Sequence, residues 1–303
     1  MVVGAMKQVN AADGLGIIPT SSFPNHGVCS FVLGLALRHG VKRTIGRHDG
    51  LARLVTSFAG DDVVIDDVQA VIYDLCRALV VDVKQAVDLQ LRYLRERDAD
   101  GIEGHDESLY CSFDPFGDFE TRGYLRNAFV EKRPDLIKAS EHMVFALNIE
   151  AAIEFLAREE FVAYESFLSV HRMLFSDFYP WAGQDRGLTA PNSMISKGTV
   201  EFALPGFSRL AIEDGLRRCE SGSVMAEVAG AVMGCFAYGH PFLDGNGRTI
   251  FLVHMELCRR RGCSIQWSRV DRDHYLEALT QELAHPDEGV LDRFLRPFLT
   301  NRS

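Results

Sequence analysis

Gly239-His240-Pro241-Phe242-Leu243-Asp244-Gly245-Asn246-Gly247-Arg248-Thr249 is the stretch on which the reading of this chain turns. The positions from His240 to Arg248 hold a base, a carboxylate, an asparagine between two glycines, and an arginine. Upstream, Val224, Val228, Val232 and Phe236 recur every four residues; downstream, Ile250, Val253 and Leu257 recur at three and four. Both runs have the spacing of one helix face. The second ends in Arg259, Arg260, Arg261 and Gly262. Cations in a last turn with glycine beyond it suit a helix exit. The pattern predicts helix, tight loop, helix, with the polar groups at the start of the second helix.

That placement has chemical consequences. A helix start presents unpaired N–H groups and a partial positive charge, which makes it an anion site. Gly245 and Gly247 carry no side chain to obstruct a phosphate. Arg248 adds a permanently charged, forked donor. Asp244 would oppose an anion unless a cation bridges the two, and Mg²⁺ held by one or two carboxylates plus substrate phosphates is the common arrangement. His240, with an ordinary pKa of about 6.5, can take a proton from an attacking hydroxyl. A lone histidine or a Gly-Asn-Gly turn is ordinarily structural. All of them together, opening a cation-ended helix, point to transfer of a phosphate-linked group onto a hydroxyl.

His240 to Arg248 resembles the signature loop of the Fic family, His-Pro-Phe-x-(Asp/Glu)-Gly-Asn-Gly-Arg. The resemblance implies an all-α, Fic-type helical bundle with a small β-hairpin flap. It implies a nucleotidyltransferase, a protein adenylyltransferase that moves AMP from ATP to a Ser, Thr or Tyr hydroxyl of a target protein. His240 would be the catalytic base and Asp244 the Mg²⁺ ligand. Gly245, Asn246, Gly247 and Arg248 would cradle the phosphates of ATP, the co-substrate, and Phe242 would anchor the loop. The family pattern has a second arginine three residues after the first, where this chain has Phe251. Three residues on is the same helix face, so Phe251 is expected to look roughly where Arg248 looks without binding a phosphate. Relatives lacking that arginine include enzymes that transfer phosphocholine or plain phosphate. UMP, phosphocholine or phosphate transfer, or a non-catalytic nucleotide- or partner-binding module, therefore stand as alternatives.

The rest of the 303 residues support a globular chain: 47 % apolar, 24 % charged, net charge −10. Proteins that live on nucleic acid are generally basic, so no nucleic-acid partner is expected. The seven cysteines are scattered, odd in number and without a Cys-x-x-Cys. That speaks against a disulfide framework and for a reducing, cytoplasmic setting, with a translocated effector as the other possibility. No apolar run reaches the length of a membrane span.

Residues 1–26, rich in glycine, proline and serine, read as loop or tail. Short helices are expected at Cys29–His39 and Leu51–Phe58. Asp66–Arg97 carries two apolar stripes with Asp82 placed to cap a break between two helices. No catalytic set stands out in residues 1–100. The charged, glycine-containing stretch Arg97–Glu107 marks a boundary: residues 1–106 as a helical N-terminal extension of unknown role, 107–303 as the Fic domain. Asp114–Asp118 reads as a turn, Thr121–Asn127 resembles the segment with which Fic domains begin, and Glu141–Arg158 is helix-periodic. Phe161–Arg186 contains Tyr179-Pro180-Trp181-Ala182-Gly183, similar to the family's Tyr-x-Trp-Ala-Gly turn. His171, mid-helix, is taken as structural.

Met194–Phe207 favours short extended runs around Lys197-Gly198. In the family this place holds the flap, whose edge pairs with the backbone of the target and so presents its hydroxyl. Asp271 is set to cap a helix carrying Tyr275, and the resemblance places such a tyrosine near the nucleotide base. A last apolar stripe runs from Val290 to Phe298. Fic proteins often carry a self-inhibiting (Ser/Thr)-x-x-x-Glu-(Gly/Asn) helix. The two candidates, Glu103-Gly104 and Glu288-Gly289, have Ala99 and Ala284 at the hydroxyl position. Control is therefore expected from a separate antitoxin, as in a toxin–antitoxin pair, or from another mechanism.

Overall fold

The computed structural model describes residues 27–99, 126–197, 200–220, 225–286 and 288–301. The expected boundary at 106/107, the turn at Asp114–Asp118 and most of Thr121–Asn127 lie outside them, as does Val224. The helices are α1 (Val28–Arg38), α2 (Asp49–Phe58), α3 (Asp67–Arg77), α4 (Val83–Ala99), α5 (Pro134–Arg158), α6 (Tyr164–Phe175), the single turn α7 (Arg186–Thr189), α8 (Pro205–Glu220), α9 (Met225–Gly239), α10 (Asn246–Arg260), α11 (Arg272–Ala284) and α12 (Val290–Leu295). The all-α fold class holds.

Local sequence explains the starts of α3, α4 and α11. Asp66 accepts from Gln69 N at 2.9 Å while Gln69 Oε1 accepts from Asp66 N at 3.1 Å. Asp82 and Gln85 repeat that reciprocal box at 2.8 and 2.9 Å, so the expected break is where Asp82 caps α4. Each box satisfies two donors that a helix start otherwise leaves open. Asp271 caps α11 through His274 N at 3.0 Å.

The hairpin is a minimal antiparallel pair, β1 (Ser196–Lys197) with β2 (Val200–Glu201), in the register Ser196 opposite Glu201. A second two-stranded piece had no counterpart in the sequence reading: β3 (Cys263–Ile265) pairs antiparallel with β4 (Leu299–Asn301). The final stripe is helical only to Leu295, passes through a 3₁₀ turn at Arg296–Phe298, and ends in β4. Three-residue strands are invisible to periodicity; a distant partner makes them.

Two helices position the site. α5 is central: Leu136, Ile137, Met143, Val144, Phe145 and Ile149 are buried against α2, α4, α6 and α10. α10 follows the motif loop and packs on α2, α5, α6 and α9. One hydrophobic cluster runs from Val28 in α1 to Leu295 in α12, so the helices before residue 100 share the core of those after residue 126.

Candidate active site

The motif loop is stapled from within. Buried Asn246 accepts from Phe242 N at 2.9 Å and donates to Phe242 O at 2.8 Å. Its side chain closes the loop, so what it offers a ligand is backbone. Gly245, the N-cap of α10, has φ +74°, and a Cβ there would lie 2.6 Å from the Phe175 ring. A Cβ on Gly247 would meet that of Ala59 at 2.9 Å. Both glycines are thus required by packing, beyond the clearance they give an anion.

His171 holds the loop from below. Its Nδ1 accepts from Gly183 N at 2.8 Å, so its Nε2 carries the proton and donates to Asp244 O at 2.9 Å. The ring stacks on Phe242 with centroids 3.8 Å apart. Burial pulls its pKa down to about 3. It is a neutral strut between the Trp181 turn and the motif, in keeping with the structural role expected for it.

His240 has φ +43°, unusual for a residue with a side chain. Arg186 secures that conformation: its N donates to Pro241 O at 2.7 Å, and its Nε to His240 O at 2.9 Å. Nη2 of the same guanidinium reaches Ala203 O at 2.6 Å, just past the hairpin. The imidazole is half-buried and stacks on Phe202, which follows β2, with centroids 3.8 Å apart and planes 15° apart.

The cleft in front of this loop has a volume of about 270 Å³. His240, Asp244, Gly245, Asn246, Gly247 and Arg248 all line it, so the structure brings these six expected residues together. Arg248 is 2 % exposed. Its guanidinium lies over the Phe175 ring at 5.0 Å and the Phe145 ring at 6.0 Å. Nη2 is 3.2 Å from Glu141, 3.9 Å from Asp61 and 4.0 Å from Asp244. Its buried Nε has no acceptor, and a phosphate oxygen would supply one. Asp244 is about half exposed, and its Oδ1 accepts from Gly245 N at 2.6 Å. Among the described residues no group of three metal-type ligands occurs. One carboxylate beside an anion cradle still suits Mg²⁺, which takes few protein ligands and relies on phosphate oxygens.

A second compartment of about 290 Å³ adjoins the first along Ala59, Phe202, His240, Asn246 and Gly247. It is apolar, lined by Phe58, Ile250, Phe251 and Leu279 among others, and Tyr275, the remaining expected residue, sits here. Phe251 does not look where Arg248 looks. The two are about 60° apart around the helix. Arg248 turns to α5 and α6, while Phe251 packs on Trp267 at 4.4 Å and Phe58 at 5.9 Å.

Several contributors went unread in the sequence. Glu141 is buried, and its Oε1 accepts from Tyr179 OH at 2.8 Å. Burial, with Asp244 nearby, pushes its carboxyl up to about 7 against the pull of Arg248. One signal for it existed: Ile137, Glu141 and Phe145 occupy one helix stripe, and a carboxylate between two buried apolar positions needs a partner. Asp61 and Ala59 bring the N-terminal segment into the cleft wall; nothing local in sequence marks them.

Comparison with known proteins agrees with this geometry. Residues 161–258 match the family model of the Fic/DOC family. Over 140 residues the chain is 32 % identical to the protein adenylyltransferase VbhT of Bartonella schoenbuchensis, spanning 44 % of this chain and 29 % of that protein. Over 125 residues it is 30 % identical to the probable protein adenylyltransferase y4lH of Sinorhizobium fredii, spanning 38 % of this chain and 62 % of that one. The chain thus spans less than two thirds of either curated relative. The fold is shared with the Bartonella tribocorum effector BepC, solved with bound AMPPNP (TM-score 0.50, 15 % identity, 63 % of this chain and all of that one). It is shared too with the Fic domain of an effector from Bartonella sp. AR 15-3 (TM-score 0.51, 16 % identity, 65 % and 96 %).

Proposed function

We propose, with residues 161–258 as a Fic/DOC segment, that the chain is a protein adenylyltransferase transferring AMP from ATP to a Ser, Thr or Tyr hydroxyl of a target protein. The observation that carries this reading is the two-compartment cleft: Arg248 and a helix start line the polar side, an aromatic compartment adjoins it, and His240 borders both. The polar side suits phosphates. The apolar side suits a base, with Tyr275 in its wall.

His240 takes the proton of the target hydroxyl as its oxygen bonds to the α-phosphorus. The bond from that phosphorus to the β-phosphate oxygen breaks, and pyrophosphate leaves. Stacking on Phe202 keeps the imidazole plane in place for that proton. Asn246 and Gly247, through their backbone, and Arg248, through its guanidinium, hold phosphate charge, while Gly245, whose N–H is engaged by Asp244, leaves room for it. Mg²⁺, held by Asp244 and the phosphates, would supply charge neutralisation there. The hairpin β1–β2, within the expected flap at 194–207 whose last three residues already belong to α8, offers its strand edge to the target backbone, which orients the hydroxyl without demanding one sequence.

Residues 107–303 form the catalytic unit in this reading. Residues 1–106 are a helical extension that lends Ala59 and Asp61 to the cleft. A cytoplasmic protein restrained by a separate antitoxin is consistent with free thiols at the described cysteines and with the missing inhibitor motif. Among the described residues no helix is long and apolar enough to cross a membrane.

A second reading, transfer of UMP, phosphocholine or phosphate, is favoured by Phe251: its described surroundings hold no lysine or arginine for a terminal phosphate. One experiment separates the readings. The chain is incubated with Mg²⁺ and labelled ATP, UTP or CDP-choline, and the added mass is read on itself and on a lysate. AMP addition that disappears in His240→Ala and with EDTA is the expected result. Another added mass selects the second reading. Label that persists in His240→Ala removes His240 as the base.

A further inference from the structure

We propose that Glu141 is a positioning residue: it fixes the guanidinium of Arg248 so that the arginine's remaining donors serve a phosphate in the cleft. The role rests on the reading of the cleft as a phosphate site.

Glu141 lies on α5, across the core from the motif helix, and is 2 % exposed. A carboxylate in that position is costly unless both oxygens are engaged. Here each oxygen has its own partner. Oε1 accepts a hydrogen bond from Tyr179 OH at 2.8 Å, and Oε2 faces Arg248 Nη2 at 3.2 Å. The other carboxylates near Nη2, Asp61 and Asp244, stand at 3.9 and 4.0 Å, beyond hydrogen-bond reach. Glu141 is therefore the acid that sets the direction of the fork, and the Phe175 and Phe145 rings restrict its plane. Nε is left buried with no acceptor. An arginine tied at one corner and lacking an acceptor at another is pre-organised for an incoming oxyanion. Tyr179 belongs to the Tyr-Pro-Trp-Ala-Gly turn, so that turn reaches the phosphate cradle through Glu141.

The opposite role is equally concrete: Glu141 could compete with phosphate for the guanidinium. The two predict changes of opposite sign. The test measures affinity for Mg·ADP and for adenosine at pH 8, above the Glu141 carboxyl's value of about 7. It uses the full chain, Glu141→Ala, Glu141→Gln, Tyr179→Phe and Arg248→Ala. ADP affinity is expected to fall about tenfold in Glu141→Ala, toward that of Arg248→Ala. Glutamine, which keeps an acceptor oxygen, is expected to restore most of it. Tyr179→Phe is expected to lose about threefold. Adenosine affinity is expected to be unchanged throughout, which a merely structural loss would not allow. Should Glu141→Ala fail to fold, Tyr179→Phe still decides through the ADP-to-adenosine ratio. Unchanged or tighter ADP binding in Glu141→Ala, or in Tyr179→Phe where that variant stands in for it, with Arg248 dependence intact, overturns the role and leaves the phosphate site standing. Wild-type affinity for ADP no greater than for adenosine overturns the phosphate site and this role with it.

Discussion

Phe251 occupies the position where the family pattern has a second arginine, and it belongs to an aromatic cluster. The ring is 3 % exposed and packs between Trp267 and Phe58, in a compartment whose described lining includes no acid. Phe251→Arg would therefore bury a charge without a counter-ion. We expect a loss of about 3 kcal/mol or more in urea unfolding and no gain in ATP affinity by titration. A stable Phe251→Arg chain that binds ATP more tightly would show that the aromatic box is dispensable and that an arginine there reaches the phosphates. His240 is the other instructive residue. Its left-handed backbone is held by a neighbour gripping two successive carbonyls, a constraint suited to a group that must present one ring nitrogen in one place.

Among the elements, the hairpin depends on an anchor outside itself. Two paired residues per strand are too few to be stable alone. Arg186, from the turn α7, ties Ala203 and Ser193 to the motif loop through His240 and Pro241. Arg186→Met keeps length and removes the guanidinium donors to His240, Ser193 and Ala203, leaving the backbone bond to Pro241 O. We expect a stability loss of about 2–3 kcal/mol. Amide exchange at 195–203 should become about tenfold faster while α5 keeps its protection. Hydrogen exchange with mass spectrometry reads both. Unchanged exchange across the hairpin would mean that Phe202 stacking on His240 suffices to hold it.

At the scale of the whole molecule, three buried histidines among the described residues make the fold less stable as pH falls. Burial pulls His142 and His254 down to about 4 and His171 to about 3. Each is neutral in the folded chain and protonates in the unfolded chain below about pH 6.5. Their contribution is therefore complete above that value and is lost as pH falls toward 4. Glu141 acts oppositely: with its carboxyl pushed up to about 7, the folded state gains a proton first, so its part grows on acidification. His254→Gln isolates one share, because an amide N–H can replace the bond from Nε2 to Ala229 O. Between pH 7.5 and 5.5 the wild type should lose about 1 kcal/mol more than His254→Gln by denaturant unfolding. Equal losses would contradict a neutral, buried His254.

Much of the site was legible because its parts are contiguous. From His240 to Arg248 the sequence alone determined the loop, the helix it opens and six lining residues, since capping, glycine geometry and helix periodicity are local properties. Periodicity likewise revealed most of the longer helices, though α5 begins at Pro134, ahead of the expected Glu141, and capping by Asp82 marked the break before α4. What only the tertiary structure decided is where separate helices meet. Glu141 lies 107 residues before Arg248, and Asp61 lies on the N-terminal side of the expected boundary. The direction in which Phe251 points, the pairing of β3 with β4 and the grip of Arg186 on the flap are likewise decided across the core. Each follows from contacts between residues far apart in the chain, and no local pattern encodes a partner that arrives through packing.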